Sequence, residues 1–173
     1  MNAPPGPRIL RHITPIWGLL GVRPHSMPAR FMYLDNSGSP TQWDGTRYFD
    51  YLAKVRARLP SDLQSLTAKE RYELPSGSDL SLWRSSVTYI QANRGGITFG
   101  AINDYGTRRF EFSYSGVCKF QTTSNRLYFM PAIVVQELVK LRNGLLRHTI
   151  SDMRGDFTTI HASSLSFQES LIQ

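Results

Sequence analysis

Two histidines, His148 and His161, are the only imidazoles beyond the first 26 residues. They flank Arg154-Gly155, a turn dipeptide. A two-residue turn there pairs His148 with His161 and Ile150 with Thr159. Directly opposite positions of a hairpin have Cβ atoms about 4.5–5.5 Å apart, close enough to share a metal ion or to titrate as a pair. A metal site wants three or four ligands, and the nearest acids are Asp152, Asp156 and Glu137. The competing reading is a pair of half-buried polar residues in a sheet. Cys118 stands between Val117 and Lys119 in an expected strand. A nucleophilic thiolate needs a base that lowers its pKa, and the sequence sets none beside it, so it reads as a buried structural cysteine.

Other chemical signatures are missing. There is no Gly-x-Ser-x-Gly, His-Glu-x-x-His, Gly-x-x-x-x-Gly-Lys or Gly-x-Gly-x-x-Gly. Gly95-Gly96-Ile97-Thr98-Phe99-Gly100 has no helix after it, so its glycines serve a turn and a bulge rather than a phosphate cradle. The sequence therefore predicts no catalytic residue and no cofactor.

Arginines and aromatics interleave from Trp83 to Phe129, and an exposed sheet of that make-up could stack single-stranded bases. Arg108, Arg109 and Arg126 would then be the contacts. The alternation argues otherwise for the aromatics. Phe110, Phe112 and Tyr114 fall on one strand face, which reads as core, while Arg109, Glu111 and Ser113 share the other. Twenty basic residues against 13 acidic give +7, and 16 of the 20 are arginine. Residues 1–26 hold Arg8, Arg11 and Arg23 and no acid, so the rest of the chain carries 17 minus 13, or +4. The body is mildly basic and would attract polyanions weakly and with strong salt dependence.

The elements that must position these groups fall into two textures. Asn36-Ser37-Gly38-Ser39-Pro40 reads as a loop, and Asp44 as the cap of a helix. Tyr48, Leu52, Val55 and Leu59 mark one face of that helix, and Pro60 stops it. Ser61 with Gln64 forms a capping box for a second helix from about Ser61 to Leu74, with a break near Thr67. Beyond Leu80 come short β-branched and aromatic runs separated by turn residues. They are Leu82–Gln91, Ile97–Ile102, Arg109–Tyr114, Val117–Thr122, Leu127–Met130, Val134–Leu141, Leu145–Ser151, Asp156–Ala162 and Leu165–Gln168. So many short runs exclude a βαβ fold, which needs a helix between parallel strands. Asn143-Gly144 is the sharpest turn signal. As a two-residue hairpin it pairs Val139 with His148 and Lys140 with Arg147. Lys140 and Arg147 then lie outside, with Val139, Leu141, Leu146, His148 and Ile150 inside. The expected fold class is α+β: one or two N-terminal helices packed on a curved, mostly antiparallel sheet, as a meander or small barrel.

Residues 1–30 hold six of the ten prolines and read as a Pro/Arg-rich tail or an upstream extension with Met27 as the start. A cleaved secretory signal and a transit peptide are the other two readings. Residues 31–173 form a single α+β domain. No run reaches the 18 apolar residues of a membrane helix, so the expected setting is cytoplasmic.

Tyr114-Ser115-Gly116-Val117-Cys118-Lys119-Phe120 opens a further pattern. It continues through Glu137-Leu138-Val139 and Leu145-Leu146-Arg147-His148 to Phe157, Ile160 and Leu165-Ser166-Phe167. In these about 60 residues the chain resembles small bacterial domains of unknown function, some of them immunity-type proteins. The resemblance carries over no catalytic residue, and the missing catalytic constellation together with a core large enough to fold points to a binding role. The sequence thus predicts a non-enzymatic protein that binds a protein partner, with an edge such as Leu165–Gln168 open to a partner or a second copy. The alternatives are a nucleic-acid-binding module and a small metal-dependent enzyme around His148 and His161.

Overall fold

The computed structural model describes residues 31–39, 42–72, 78–123 and 132–173. The tail of residues 1–30, the expected strand Leu127–Met130 and Arg126 lie outside them.

A short hairpin of β1 (Asp35–Ser39) and β2 (Gln42–Asp44) leads into helix α1 (Thr46–Val55), extended by a 3-10 turn over Arg56–Arg58. The N-cap is Gly45 rather than Asp44, but Asp44, one residue earlier, still takes the first helical amide: its Oδ1 accepts from the Thr46 amide at 2.8 Å and the Thr46 hydroxyl at 2.7 Å. Tyr48 and Leu52 are buried and Val55 is half-buried, as the periodicity predicts. Helix α2 spans only Ser61–Leu66. Ser61 is not its cap; Gln64 turns back instead and donates from Nε2 to the Leu59 carbonyl at 2.8 Å. Thr67 donates its hydroxyl to the Leu63 carbonyl at 2.7 Å, and the chain resumes as a 3-10 turn over Lys69–Tyr72.

Eight strands follow: β3 (Ser86–Asn93), β4 (Gly96–Ile102), β5 (Arg108–Ser115), β6 (Lys119–Thr122), β7 (Ile133–Lys140), β8 (Leu146–Asp152), β9 (Phe157–Ala162) and β10 (Ser164–Leu171). All pair antiparallel, in two four-stranded sheets of order β10-β5-β4-β3 and β6-β9-β8-β7. The fold is α+β, and the expected curved sheet is two sheets rather than a closed barrel. A single bridge, Ser85 to Ile133, joins the start of β3 to the start of β7.

One core lies between the sheets. Phe99, Phe110, Phe112, Tyr114 and Phe167 meet Leu138, Leu146, Ile150 and Ile160 there, with Leu63 and Leu66 of α2. Phe112 stacks on Phe99 with ring centroids 4.4 Å apart. Sheet β6-β9-β8-β7 is covered on its other side as well, where Leu34, Tyr48, Leu52 and Tyr72 pack on Val134 and Val135. That is why β7 is buried from Ile133 through Val139 and reads as an unbroken apolar-rich run.

Both diagnostic turns are one residue longer than a two-residue hairpin. Leu141 donates its amide to the Leu145 carbonyl at 2.8 Å, enclosing Arg142-Asn143-Gly144. Asp152 donates to Asp156 at 2.9 Å, enclosing Met153-Arg154-Gly155. Gly144 (φ +84°) and Gly155 (φ +79°) occupy the left-handed position that closes a three-residue loop. Asn143 Oδ1 takes the Leu145 amide, and Asp152 Oδ1 takes those of Arg154 and Asp156. The registers are therefore Val139 to Arg147 and Leu138 to His148, then Arg147 to His161 and His148 to Ile160. A one-residue slip moves every side chain to the other face. Leu146, His148 and Ile150 keep their place in the core, Lys140 is exposed, and Val139 joins Arg147 on the opposite face.

Glu137 lies on that opposite face, fully buried. Its carboxylate accepts three consecutive main-chain amides, from Met32 (2.8 Å), Tyr33 (2.7 Å) and Leu34 (2.9 Å). Tyr33 stacks on Tyr51 and Phe31 meets Phe157 edge-on, so residues 31–34 form a strap across the sheet. Glu137→Gln replaces one acceptor oxygen with a donor facing a donor. It should cost about 2–4 kcal/mol in urea unfolding and remove hydrogen-exchange protection at the amides of residues 32–34 first.

Candidate functional site

His148 and His161 do not meet. The register sets them on opposite faces of β6-β9-β8-β7, and among the described residues no three His, Cys, Asp or Glu side chains are grouped to hold a metal. The acids expected to complete a metal site are engaged elsewhere: Glu137 with the strap, Asp152 with its own turn.

His148 is a link in a buried polar chain. Tyr114 of β5 donates its hydroxyl to Nδ1 at 2.5 Å, across the gap between the sheets. Nε2–H donates to Gln136 Oε1 at 2.8 Å, because the amide nitrogen of Gln136 is spent on Tyr72 Oη (2.7 Å) and the Leu66 carbonyl (3.1 Å). Tyr72 donates to Tyr48 Oη at 3.1 Å, and Tyr48 closes the chain on the main chain of Leu138. Every hydrogen in the series points one way, which requires a neutral imidazole. Burial alone pushes His148 down to about 3 and the Tyr114 hydroxyl up. Burial first, with the neighbouring Glu137 charge adding to it, raises Tyr72 and Tyr48, so the chain stays uncharged.

His161 has different company. Lys119 of β6, His161 of β9 and Arg147 of β8 are directly opposed across three strands and share one face. All three are half-buried. Burial, then the charges of Lys119 and Arg147, hold His161 down at about 4. Burial also lowers Arg147, against the opposing pull of Glu137. The next row along the same face is Glu137, Thr149, Thr159 and Gln121, all buried, with Thr149 and Thr159 joined through their hydroxyls at 3.0 Å. Two-residue turns would face His161 with His148, whereas the longer loops face it with Arg147. The glycines of the two turns carry the signal for the longer loops, since Asn-Gly and Arg-Gly serve a three-residue loop with glycine last as well as a two-residue one.

Cys118 is exposed, not buried. It lies just outside β6, with its amide on the His161 carbonyl at 3.0 Å and its thiol 3.7 Å from the same oxygen. Of the three candidate nucleic-acid contacts, Arg126 is outside the described residues. Arg108 donates from Nε to Asp79 at 2.8 Å, and Arg109 is exposed on the opposite face of β5.

The sheet edges are treated unequally. On β7, Tyr48 Oη takes both polar groups of Leu138, and Tyr51 Oη accepts the Lys140 amide at 2.8 Å. On β10, the expected open edge, Asp62 of α2 accepts the Phe167 amide at 3.0 Å and Arg71 pairs with Glu169 at 2.7 Å. On β6, none of Phe120, Gln121 and Thr122 is without further partners. On β3 the situation differs. Asn93 pairs with Gly96 across a two-residue turn, so residues 93, 91 and 89 bond to β4 while the main chains of Ile90 and Ala92 point outward. No described group bonds to them there. Ser86–Asn93 contains no charged residue and no proline. Gly100 of β4 leaves room for the Tyr89 ring, whose hydroxyl reaches Glu111. The expected bulge lies opposite, in β3 between Val87 and Tyr89.

Among the described residues no helix is long and apolar enough to cross a membrane. No family model, no characterised protein and no solved structure matches the chain.

Both histidines bind protons more weakly folded than unfolded. Between pH 6.5 and their folded values of about 3 and about 4, the unfolded chain takes up protons that the folded chain does not. Stability is thus fully present above about pH 6.5 and is lost as the pH falls below it. The slope from His148 alone is at most about 1.4 kcal/mol per pH unit. Urea unfolding at pH 7.5, 6, 5 and 4 checks this, and His161→Gln should flatten the lower part of the curve.

Proposed function

We propose that this chain is a binding domain for another protein, whose extended segment it takes up as an added strand along β3. The observation that carries the reading is the contrast between edges. Side chains of α1 and α2 occupy the outward main-chain groups of β7 and β10, whereas the outward groups of Ile90 and Ala92 have no described partner. Strand addition draws affinity from main-chain hydrogen bonds and specificity from alternate side chains. β3 offers both: outward main-chain groups at Ile90 and Ala92 with no described partner, beyond the bulge, and Val87, Ile90 and Ala92 packed against the core so that the edge is held in place. A bare edge of β-branched and aromatic residues is also an aggregation hazard. A strand from a dedicated partner removes that hazard, and the likeness to immunity-type domains fits the same mode of action.

A displayed library of extended peptides tests the reading. Selected peptides should bind with Kd near the micromolar range and protect the amides of Ile90 and Ala92 from exchange. Ala92→Pro removes an outward N–H without touching the β4 ladder, and proline is tolerated at such an edge position. It should weaken binding about tenfold or more with the unfolding midpoint little changed. Binders indifferent to Ala92→Pro, or protection elsewhere on the surface, would overturn the assignment.

A further inference from the structure

A groove beside helix α1 has a chemistry of its own, independent of the β3 edge. Helix α1 packs Tyr48 and Leu52 on the outer face of β6-β9-β8-β7, whereas α2 packs Leu63 and Leu66 into the core between the sheets. The two helices answer to different cores, and the wedge between them stays open with a cavity volume of about 470 Å³. Small-molecule sites span roughly 300–1,000 Å³. On the α1 side the lining includes Ala53 and Ala57, whose single carbons cannot fill the gap. Buried Leu52 and half-buried Phe49 make the same side apolar, and Phe49 is held edge-on to Tyr72 with ring centroids 5.4 Å apart. Thr67 lines the other side, with its hydroxyl already spent on the Leu63 carbonyl.

Two cations, Arg56 and Lys69, line the same groove, and no described acid does. Arg56 donates from Nε (3.1 Å) and Nη2 (3.0 Å) to the main-chain carbonyl of Gln64. A neutral carbonyl holds the guanidinium in place without cancelling its charge, and Nη1 takes no part in that contact. Lys69 is exposed and forms no ion pair with a described acid.

We infer that this groove binds a small amphipathic carboxylate, an ionised acid carrying a medium-length hydrocarbon body. The body covers Phe49, Leu52 and the two alanines, and the carboxylate oxygens take the Lys69 ammonium and the Nη1 edge of Arg56. A wholly hydrophilic anion would leave the apolar lining in water, and a neutral hydrocarbon would leave both cations without a counter-charge. The pairing of an apolar cavity with two cations and no acid selects a ligand that has both parts.

The test titrates the full chain, labelled for amide NMR, with octanoate at pH 7.5, using octanol and acetate as controls. Octanoate should give saturable shifts at the amides of Ala53, Ala57 and Thr67 with Kd near the millimolar range, and each control should bind about tenfold more weakly or less. Lys69→Ala should weaken octanoate about three- to fivefold and leave octanol unchanged. Lys54→Ala, on α1 but outside the lining, should change neither. Ala53→Leu fills the groove from an exposed helical position that leucine tolerates nearly as well as alanine, and should abolish saturation. The Lys69→Ala comparison serves if Ala53→Leu does not fold. No saturable response at those amides, or undiminished saturation in folded Ala53→Leu, would overturn the site. Octanol binding as tightly as octanoate, or equal losses from Lys69→Ala and Lys54→Ala, would overturn the anion assignment. Acetate binding as tightly as octanoate would overturn the apolar half.

Discussion

The two sheets meet through a hydrogen bond from the Tyr114 hydroxyl to a neutral imidazole, and much of the molecule is arranged around keeping that imidazole neutral. His148 sits among Phe112, Tyr114 and apolar neighbours with no acid near it. A protonated ring there would set a second N–H, on Nδ1, against the Tyr114 hydroxyl that now donates to it, and would have no counter-ion. The neutral tautomer instead passes one set of hydrogen bonds from β5 through His148, Gln136, Tyr72 and Tyr48 to β7. Such a chain is satisfied at every member or it is costly, because an unpaired polar group in a low-dielectric interior loses its water without compensation. The same groups hold three layers in register: Tyr114 belongs to one sheet, His148 and Gln136 to the other, and Tyr48 to the helix outside it.

This arrangement explains the two faces of β6-β9-β8-β7. Its inner face is apolar through the middle apart from the chain, with Thr122 and Thr158 joined through their hydroxyls towards one end. Its outer face carries Glu137, Thr149, Thr159 and Gln121 in one row and Lys119, His161 and Arg147 in the next. Polar residues on a covered face need partners, and the strap at 31–34 supplies them to Glu137. Lys119, His161 and Arg147 are half-buried, whereas the neighbouring row is buried. One sheet thus combines an apolar contact with its neighbour sheet and a polar surface that has not lost all its water.

Much of this architecture was legible from residue types. The period of Tyr48, Leu52 and Val55 marked a helix, and Phe110, Phe112 and Tyr114 marked a core face, because burial imposes a period that the sequence must follow. Eight expected runs correspond to strands, since turn residues punctuate them. The register was not legible. A glycine after Asn143 or Arg154 serves two loop lengths equally, and the difference of one residue decides whether His161 faces His148 or Arg147. Nor did local pattern reveal the charge state of His148, which depends on Tyr114 and Gln136, 34 and 12 residues away. The burial of Glu137 likewise depends on amides more than 100 residues distant. Loop length, ligand geometry and burial are long-range properties, and the candidate site is made of all three.

The treatment of the edges follows from the same layering. A helix laid on the outer face of a sheet brings tyrosine hydroxyls over the last strand, and Tyr48 and Tyr51 occupy the outward groups of β7 for that reason. The short helix that plugs the open end between the sheets brings Asp62 to β10. Neither helix extends to β3, which diverges from β7 after the bridge at Ser85 and Ile133. No described group meets its outward amides and carbonyls at Ile90 and Ala92, and exchanging water for another hydrogen-bond partner there costs little. A strand added there would disturb no described core contact and break no described pair, so the free energy of docking would be set by the ladder it completes and the side chains it carries.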